Sequence, residues 1–133
     1  MADDMRTILL VDDEEGFCEL VKENLELRSN FEVVVANDGM SGITIAKRIK
    51  PALILLDIKM PGLNGLEVLR RLKKDPATVA IPVVILSALT DDQSKVDASQ
   101  LFDESYITKP VKFEELQNRI EEVLKRRGLD KTT

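Results

Sequence analysis

The sequence predicts an α/β protein built on a parallel sheet with helices on both faces. Short β-rich apolar runs alternate with helical patterns five times along the chain, which is the order of a parallel sheet with crossover helices. Right-handed crossovers leave few possible topologies for such a sheet. The length of 133 residues suits one domain with a substantial core. Four of the apolar runs also end at a chemically capable residue, which points to a site at one sheet edge.

The first strand and helix are marked by an apolar run followed by acidic residues. Residues 8–11 form the run, and Asp12 and Asp13 follow it directly. Glu14 and Glu15 come next, where the positive end of a helix dipole favours negative charge. Apolar residues then recur at helical spacing, at Phe17, Leu20, Val21 and Leu25.

The second and third units repeat this pattern with clear stop signals. Residues 31–36 contain three valines and predict a strand, and the Asn-Asp-Gly turn at 37–39 predicts a helix start. Pro51 ends that helix, and the third strand, residues 53–56, ends at Asp57. The second helix has its apolar positions at Ile43, Ala46 and Ile49, and the third at Leu66, Leu69 and Leu72.

The last two units differ in the clarity of their helices. Pro82 opens a fourth strand that ends at Ser87, and residues 106–108 form a fifth that ends at Lys109. The fourth helix has a cap signal at residues 90–92 but poor apolar periodicity. The fifth has acidic residues at its start and basic residues at its end, as the helix dipole favours. Its apolar face is Phe113, Leu116, Ile120, Val123 and Leu124.

Composition excludes several classes of function. The net charge of -5 argues against a nucleic-acid binder, and the absence of histidine excludes histidine-based catalysis or metal binding. Cys18 is the only cysteine, so no internal disulfide forms and a reducing compartment is favoured. No apolar stretch is long enough to cross a membrane, and the acidic start is no secretory signal. We therefore expect a cytoplasmic protein without membrane insertion.

The residues that follow the strands would converge on one edge of the sheet, where open α/β sheets bind ligands. Asp12, Asp13 and Asp57 would supply oxygen ligands of the kind that Mg²⁺ prefers, and like charges so close would repel one another without a cation. Ser87 and Lys109 would suit a phosphoryl group. Each residue alone has a simpler explanation as a cap, an ion pair or a loop hydroxyl, but the set favours a site.

The ordered set of motifs resembles the receiver domain of bacterial two-component response regulators. The residues that carry the resemblance are Asp12-Asp13, the loop from Asp57 to Gly65, Ser87-Ala88 and the segment from Tyr106 to Pro110. Their spacing is similar to that of the single-domain chemotaxis response regulator. The resemblance implies a flavodoxin-like, doubly wound sheet in the order 2-1-3-4-5 with five helices. It also implies one receiver domain over residues 1–133, with a core at about 7–127.

The resemblance further implies a role for each site residue. Asp57 would be the phosphoacceptor, receiving its phosphoryl group from a histidine kinase or a phosphotransfer protein. Lys109 and Ser87 would contact the phosphoryl group, and Tyr106 would rotate inward and alter the surface that binds a downstream target. Mg²⁺, or Mn²⁺ in its place, would be held by Asp13, Asp57 and the Lys59 backbone carbonyl, with Asp12 acting through water. Such a domain catalyses only its own phosphorylation and dephosphorylation, and we expect no direct nucleic-acid binding.

The resemblance also implies a cis peptide bond between Lys109 and Pro110.

Three alternative functions are each opposed by a feature of the sequence. A phosphatase of the haloacid dehalogenase type needs a second aspartate two residues after the first, where this chain has Lys59. A flavodoxin-like cofactor binder needs hydroxyls and N–H groups after the first strand, where residues 12–15 are acidic. A receiver that works unphosphorylated would not need Asp13, Asp57 and Lys109 together.

Overall fold

The described chain alternates strands and helices from end to end. The structure is a computed structural model, and it describes residues 6–88 and 105–126. The strands are β1 (Arg6–Val11), β2 (Phe31–Ala36), β3 (Leu53–Asp57), β4 (Val83–Ser87) and β5 (Ser105–Thr108). The helices within the described residues are α1 (Glu15–Arg28), α2 (Gly39–Ile49), α3 (Gly65–Lys74) and α4 (Phe113–Arg126).

All five strands are parallel and lie in the order β2-β1-β3-β4-β5. This confirms the predicted flavodoxin-like order. The chain starts near the middle of the sheet, moves out to β2, and returns past β1 to β3. The winding therefore reverses between β1 and β3, and the crevice at their carboxyl ends is where such sheets bind ligands.

Two apolar layers hold the helices against the sheet. Successive side chains of a strand point to opposite faces, so Ile8 and Leu10 pack with α1 and α4, whereas Leu9 and Val11 pack with α2 and α3. Every residue of β3 and β4 is buried, as expected for central parallel strands. These two strands therefore give Asp57 and Ser87 a rigid support.

The starts of α2 and α3 are fixed by side-chain caps. Asp38 accepts a hydrogen bond from the Ser41 backbone N–H at 2.8 Å, and Asn64 accepts one from the Glu67 N–H at 3.0 Å. Asparagine is a strong cap residue, so its presence at position 64 does not weaken the helix start. On α1, Leu20 departs from the predicted apolar face and is 52% exposed, while Cys18, Val21 and Leu25 form the buried face.

Three further findings bear on the sequence predictions. The helix predicted between β4 and β5, with its cap at residues 90–92, lies outside the described residues. The Lys109–Pro110 peptide bond is cis, as predicted. Among the described residues, no helix combines the length and apolar character needed to cross a membrane.

Candidate functional site

The predicted site residues lie at the carboxyl edge of the sheet. Asp12 directly follows β1, Asp57 ends β3, Ser87 ends β4 and Lys109 directly follows β5. A carboxylate oxygen from each of Asp12, Asp13 and Asp57 lies within 4.8 Å of the others. Four parallel strands thus bring together groups that are up to 97 positions apart in the chain.

Asp12 is fixed from several directions although its side chain is fully buried. One carboxylate oxygen accepts the Glu14 backbone N–H at 3.0 Å, and the other accepts the Lys109 ammonium at 2.9 Å. The Asp12 carbonyl accepts hydrogen bonds from the Asn37 amide and the Cys18 thiol. Burial raises the pKa of Asp12, whereas the backbone hydrogen bond and Lys109 oppose that rise.

Lys109 is the positive centre of the site. Its Nζ lies 2.9 Å from Asp12, 3.0 Å from Glu14 and 3.6 Å from Asp57, and 4.6 Å from the centroid of the Phe17 ring. Burial alone would lower the pKa of Lys109, but the hydrogen bond and charge of Asp12, together with Glu14 and Asp57, raise it above its ordinary value. The side chain is therefore a fixed cation.

Asp57 occupies an environment that opposes its negative charge. Its side chain is only 8% exposed. Burial, with a smaller contribution from the charge of Asp12, raises the pKa of Asp57 from 3.8 to about 6, although Lys109 acts in the opposite direction. A carboxylate in this state gains from any added positive charge.

Ser87 carries a buried hydroxyl at the end of β4. Its side chain is fully buried, and its hydroxyl has no hydrogen-bond partner within the described part of the chain. The Ser87 carbonyl accepts the Lys109 backbone N–H at 2.6 Å, so the two residues are held side by side. Since buried hydroxyls are normally paired, the Ser87 hydroxyl is available for a group bound at this edge.

The remaining predicted residues lie around the same edge with different exposure. The side chain of Asp13 is exposed and belongs to the carboxylate cluster. Lys59 follows β3 by two residues and has an exposed side chain, and its carbonyl as a metal ligand stays a prediction. Tyr106 lies on β5 and is 42% exposed, and Arg119 of α4 donates a hydrogen bond to its carbonyl.

Sequence reasoning missed two neighbours of Lys109. It assigned Glu14 to the helix dipole and Phe17 to an apolar face, yet both lie against the ammonium. One signal for Glu14 was available, because it directly follows Asp12 and Asp13 and so lies at the same strand end. The Phe17 contact depends on the rotation of α1 over the sheet, which no local pattern specifies.

The loop after β3 is held against the site by close backbone packing. The Gly65 N–H donates to the Ile58 carbonyl at 2.7 Å. A Cβ built on Gly65 would overlap the Asp57 carbonyl oxygen and lie 2.7 Å from the Ile58 Cα. Only glycine therefore allows α3 to start this close to Asp57.

Comparison with known proteins assigns this arrangement to a family. The family model named response regulator receiver domain matches residues 8–121, which include the whole site. The chain belongs to the response regulator receiver domain family. Membership implies phosphorylation-dependent signalling within a two-component system. Membership in this family accounts for both the strand order and the cluster of Asp12, Asp13 and Asp57 at the sheet edge.

Similar receiver domains occur alone and within longer proteins. The chain is 38% identical over 123 residues to the phosphate regulon transcriptional regulatory protein PhoB of Pseudomonas aeruginosa, covering 92% of this chain and 53% of PhoB. It is 38% identical over 120 residues to protein PilH of the same organism, covering 90% of this chain and 98% of PilH. The chain spans about half the length of most of the first curated relatives it matches.

Solved structures agree with the family assignment. A response regulator receiver domain protein of Clostridium thermocellum superposes with a TM-score of 0.85 at 29% identity. The alignment covers 93% of this chain and 98% of that chain. The shared fold therefore extends over nearly the whole receiver domain.

The donor set of this receiver domain fits the Mg²⁺ that the family binds at an acidic pocket. Asp12, Asp13 and Asp57 offer only oxygen ligands, and two of them are buried. Mg²⁺ prefers carboxylate oxygens and retains several of its waters. The exposed side chain of Asp13 leaves room for such waters on one side of the cluster.

Proposed function

We propose that this receiver domain is a switch that accepts one phosphoryl group on Asp57 and thereby changes the surface it offers to a partner. The observation that carries the proposal is the position of Asp57, a buried carboxylate with a raised pKa between the Lys109 ammonium and two further carboxylates. The phosphoryl donor is a phosphohistidine on a histidine kinase or a phosphotransfer protein. The receiver of the signal is a downstream target protein.

The chemistry required of the chain is an in-line displacement at phosphorus. A carboxylate oxygen of Asp57 forms a bond to phosphorus as the bond between phosphorus and the donor imidazole nitrogen breaks. The electron pair of the broken bond stays on that nitrogen, and the ring leaves neutral because its other nitrogen carries a proton. Lys109 holds a phosphoryl oxygen by charge, and the Ser87 hydroxyl, which has no hydrogen-bond partner among the described residues, donates a hydrogen bond to another.

Metal binding completes the site. Asp13, Asp57 and the Lys59 carbonyl would hold Mg²⁺, or Mn²⁺ in its place, with Asp12 acting through water. When bound, the ion would neutralise charge on the transferred phosphoryl oxygens. The chain would catalyse only its own phosphorylation and dephosphorylation, since phosphoryl transfer asks the protein mainly for positioning and charge.

The switch itself involves Ser87 and Tyr106. A phosphoryl group brings about -1.5 to -2 charges near neutral pH. Ser87 moves toward it, and the space left behind allows the exposed Tyr106 ring to turn inward. Tyr106 lies on β5, whose backbone carbonyl at this position accepts a hydrogen bond from Arg119 of α4, so the rotating ring would change the surface that a target contacts beside α4.

The proposal treats residues 1–133 as one receiver domain that works in the cytoplasm without binding nucleic acid. Its support is the match over residues 8–121, the net charge of -5 and the single cysteine. The full-length match to PilH supports a receiver acting alone, whereas the partial match to PhoB supports one joined to a further region.

Intact-mass spectrometry with a small phosphodonor tests the phosphoacceptor. With Mg²⁺ the protein should gain one phosphoryl group, and Asp57→Asn should gain none. Asp75→Asn is the matched control, because Asp75 lies at the C-terminus of α3 and pairs with Lys47 outside the site. Labelling of Asp57→Asn at the wild-type level, or labelling of the wild type after chelation of divalent ions, would contradict the proposal.

A further inference from the structure

Glu14 contacts the Lys109 ammonium, the same group that would bind the transferred phosphoryl group in the proposed reaction. Its Oε1 lies 3.0 Å from Lys109 Nζ, which is closer than Asp57 Oδ1 at 3.6 Å. Glu14 is the N-cap residue of α1, but its side chain makes no cap hydrogen bond. The side chain is thus directed to the ammonium rather than to the helix end.

Two of the three N–H donors of the ammonium are hydrogen-bonded, and a third carboxylate lies within ion-pair distance. Lysine has three such donors and no acceptor, and here Asp12 and Glu14 accept hydrogen bonds at 2.9 Å and 3.0 Å. Asp57 lies within ion-pair distance on a further side, and the Phe17 ring lies 4.6 Å from Nζ. A phosphoryl oxygen that approaches Lys109 therefore competes for the ammonium with the carboxylates that already surround it.

The burial of Asp12 and Glu14 decides which of their contacts Lys109 can give up at the lower cost. The Asp12 side chain is fully buried, so leaving its charge without a partner would be costly. The Glu14 side chain is 63% exposed, and water can replace Lys109 as its partner. Glu14 is accordingly the partner that Lys109 releases at least cost.

We infer that Glu14 is a positioning residue that competes with the phosphoryl group for Lys109 and so slows phosphorylation of Asp57. This inference rests on the proposed function of Asp57. In the unphosphorylated protein Glu14 holds the ammonium on the α1 side of the site. During transfer Lys109 leaves Glu14, keeps its contact with Asp12 and moves onto a phosphoryl oxygen.

Two variants of Glu14 separate the contact from the charge. Glu14→Gln removes the ion pair, so its rate of labelling by a small phosphodonor at saturating Mg²⁺ should rise about two- to fivefold, the range an exposed ion pair supports. Glu14→Asp keeps the charge on a shorter side chain that cannot reach Lys109 in the same way. If the contact is what slows transfer, Glu14→Asp should also be labelled faster than the wild type.

Glu15→Gln is the matched control. It removes one negative charge from the neighbouring exposed position at the start of α1, and Glu15 is not among the partners of Lys109 in the described chain. Its rate should change by less than about 1.5-fold, because salt screens separated surface charges. Thermal unfolding of each variant shows whether it remains folded, so that a change in labelling rate is not mistaken for a loss of fold.

The outcomes distinguish this inference from the function on which it rests. Glu14→Gln and Glu14→Asp both faster than Glu15→Gln would support it. A Glu14→Gln rate equal to that of Glu15→Gln, a slower Glu14→Gln, or a Glu14→Asp rate equal to the wild type would overturn it while labelling of Asp57 stands. Failure of the wild type to be labelled would overturn both.

Discussion

At the scale of single residues, the site places the Asp57 carboxylate in surroundings that disfavour its negative charge. Asp57 is buried next to Asp12 and Asp13, and its contact with Lys109 at 3.6 Å is longer than the Asp12–Lys109 contact of 2.9 Å. The resulting rise in pKa means that the ionised form of Asp57 is disfavoured in the folded protein. A cation bound at the cluster would relieve this repulsion, so the same charge arrangement that costs stability would favour metal binding.

Asp57→Asn should therefore stabilise the metal-free protein. Because the folded-state pKa of about 6 lies above the ordinary 3.8, protonated Asp57 favours folding at low pH, and this contribution is lost as the pH rises through 6. At about pH 8, in the presence of a chelator, the variant should gain about 2 kcal/mol in free energy of unfolding. Urea titrations at several pH values measure this. A gain that persists unchanged below about pH 4 would contradict the cause.

Lys109→Met, in contrast to Asp57→Asn, should destabilise the protein. It leaves the buried Asp12 carboxylate without its cation, and the free energy of unfolding at neutral pH should fall by about 2–4 kcal/mol. Lys47→Met is the matched control, since the Lys47–Asp75 pair is half exposed and should contribute less than about 1 kcal/mol. Equal losses in the two variants would show that burial of Asp12 is not what makes Lys109 important for stability.

At the scale of elements, the connections after the strands position the site as much as the strands do. The Gly65 N–H binds the Ile58 carbonyl, and Asn64 caps α3 directly before it. This fixes the start of α3 against the backbone of Asp57. The backbone that follows the Asp57 side chain is therefore held by a residue eight positions later.

Gly65→Ala should disrupt this contact. The added Cβ would meet backbone atoms that cannot move aside, so the free energy of unfolding should fall by about 2–4 kcal/mol and labelling of Asp57 should slow. Gly16→Ala is the control, because a Cβ there meets nothing within 4 Å and alanine favours the helix. Gly16→Ala should gain up to about 1 kcal/mol. A harmless Gly65→Ala would show that α3 can start farther from Asp57.

Local patterns predicted the elements well because each strand and helix carries its own signal. The apolar runs at β3 and β4 and the helical spacing of Leu66, Leu69 and Leu72 were sufficient to place those two strands and α3. Leu20 misled the prediction, since apolar character alone does not say which face of α1 packs on the sheet. The contact of Phe17 with Lys109 was missed for the same reason.

At the scale of the whole molecule, the strand order brings the site together. Asp12 and Lys109 are 97 positions apart, and they meet because β1, β3, β4 and β5 are parallel and end at one edge. The convergence of Asp12, Asp57, Ser87 and Lys109 on one edge could be predicted from the strand ends alone. The order of the Lys109 contacts with Asp12, Glu14 and Asp57 could not, because it depends on differences of a few tenths of an ångström between side chains from different elements.

Mg²⁺ should stabilise the whole fold, because the Asp12, Asp13 and Asp57 carboxylates converge only when β1 and β3 are paired. At a free concentration of about 100 times Kd, the free energy of unfolding should rise by about 2.7 kcal/mol. Asp13→Asn should lose most of this increment, whereas Asp75→Asn, outside the cluster, should keep it. Thermal unfolding across a Mg²⁺ series measures the effect. An unchanged Tm, or equal increments in both variants, would show that the cluster does not bind the ion.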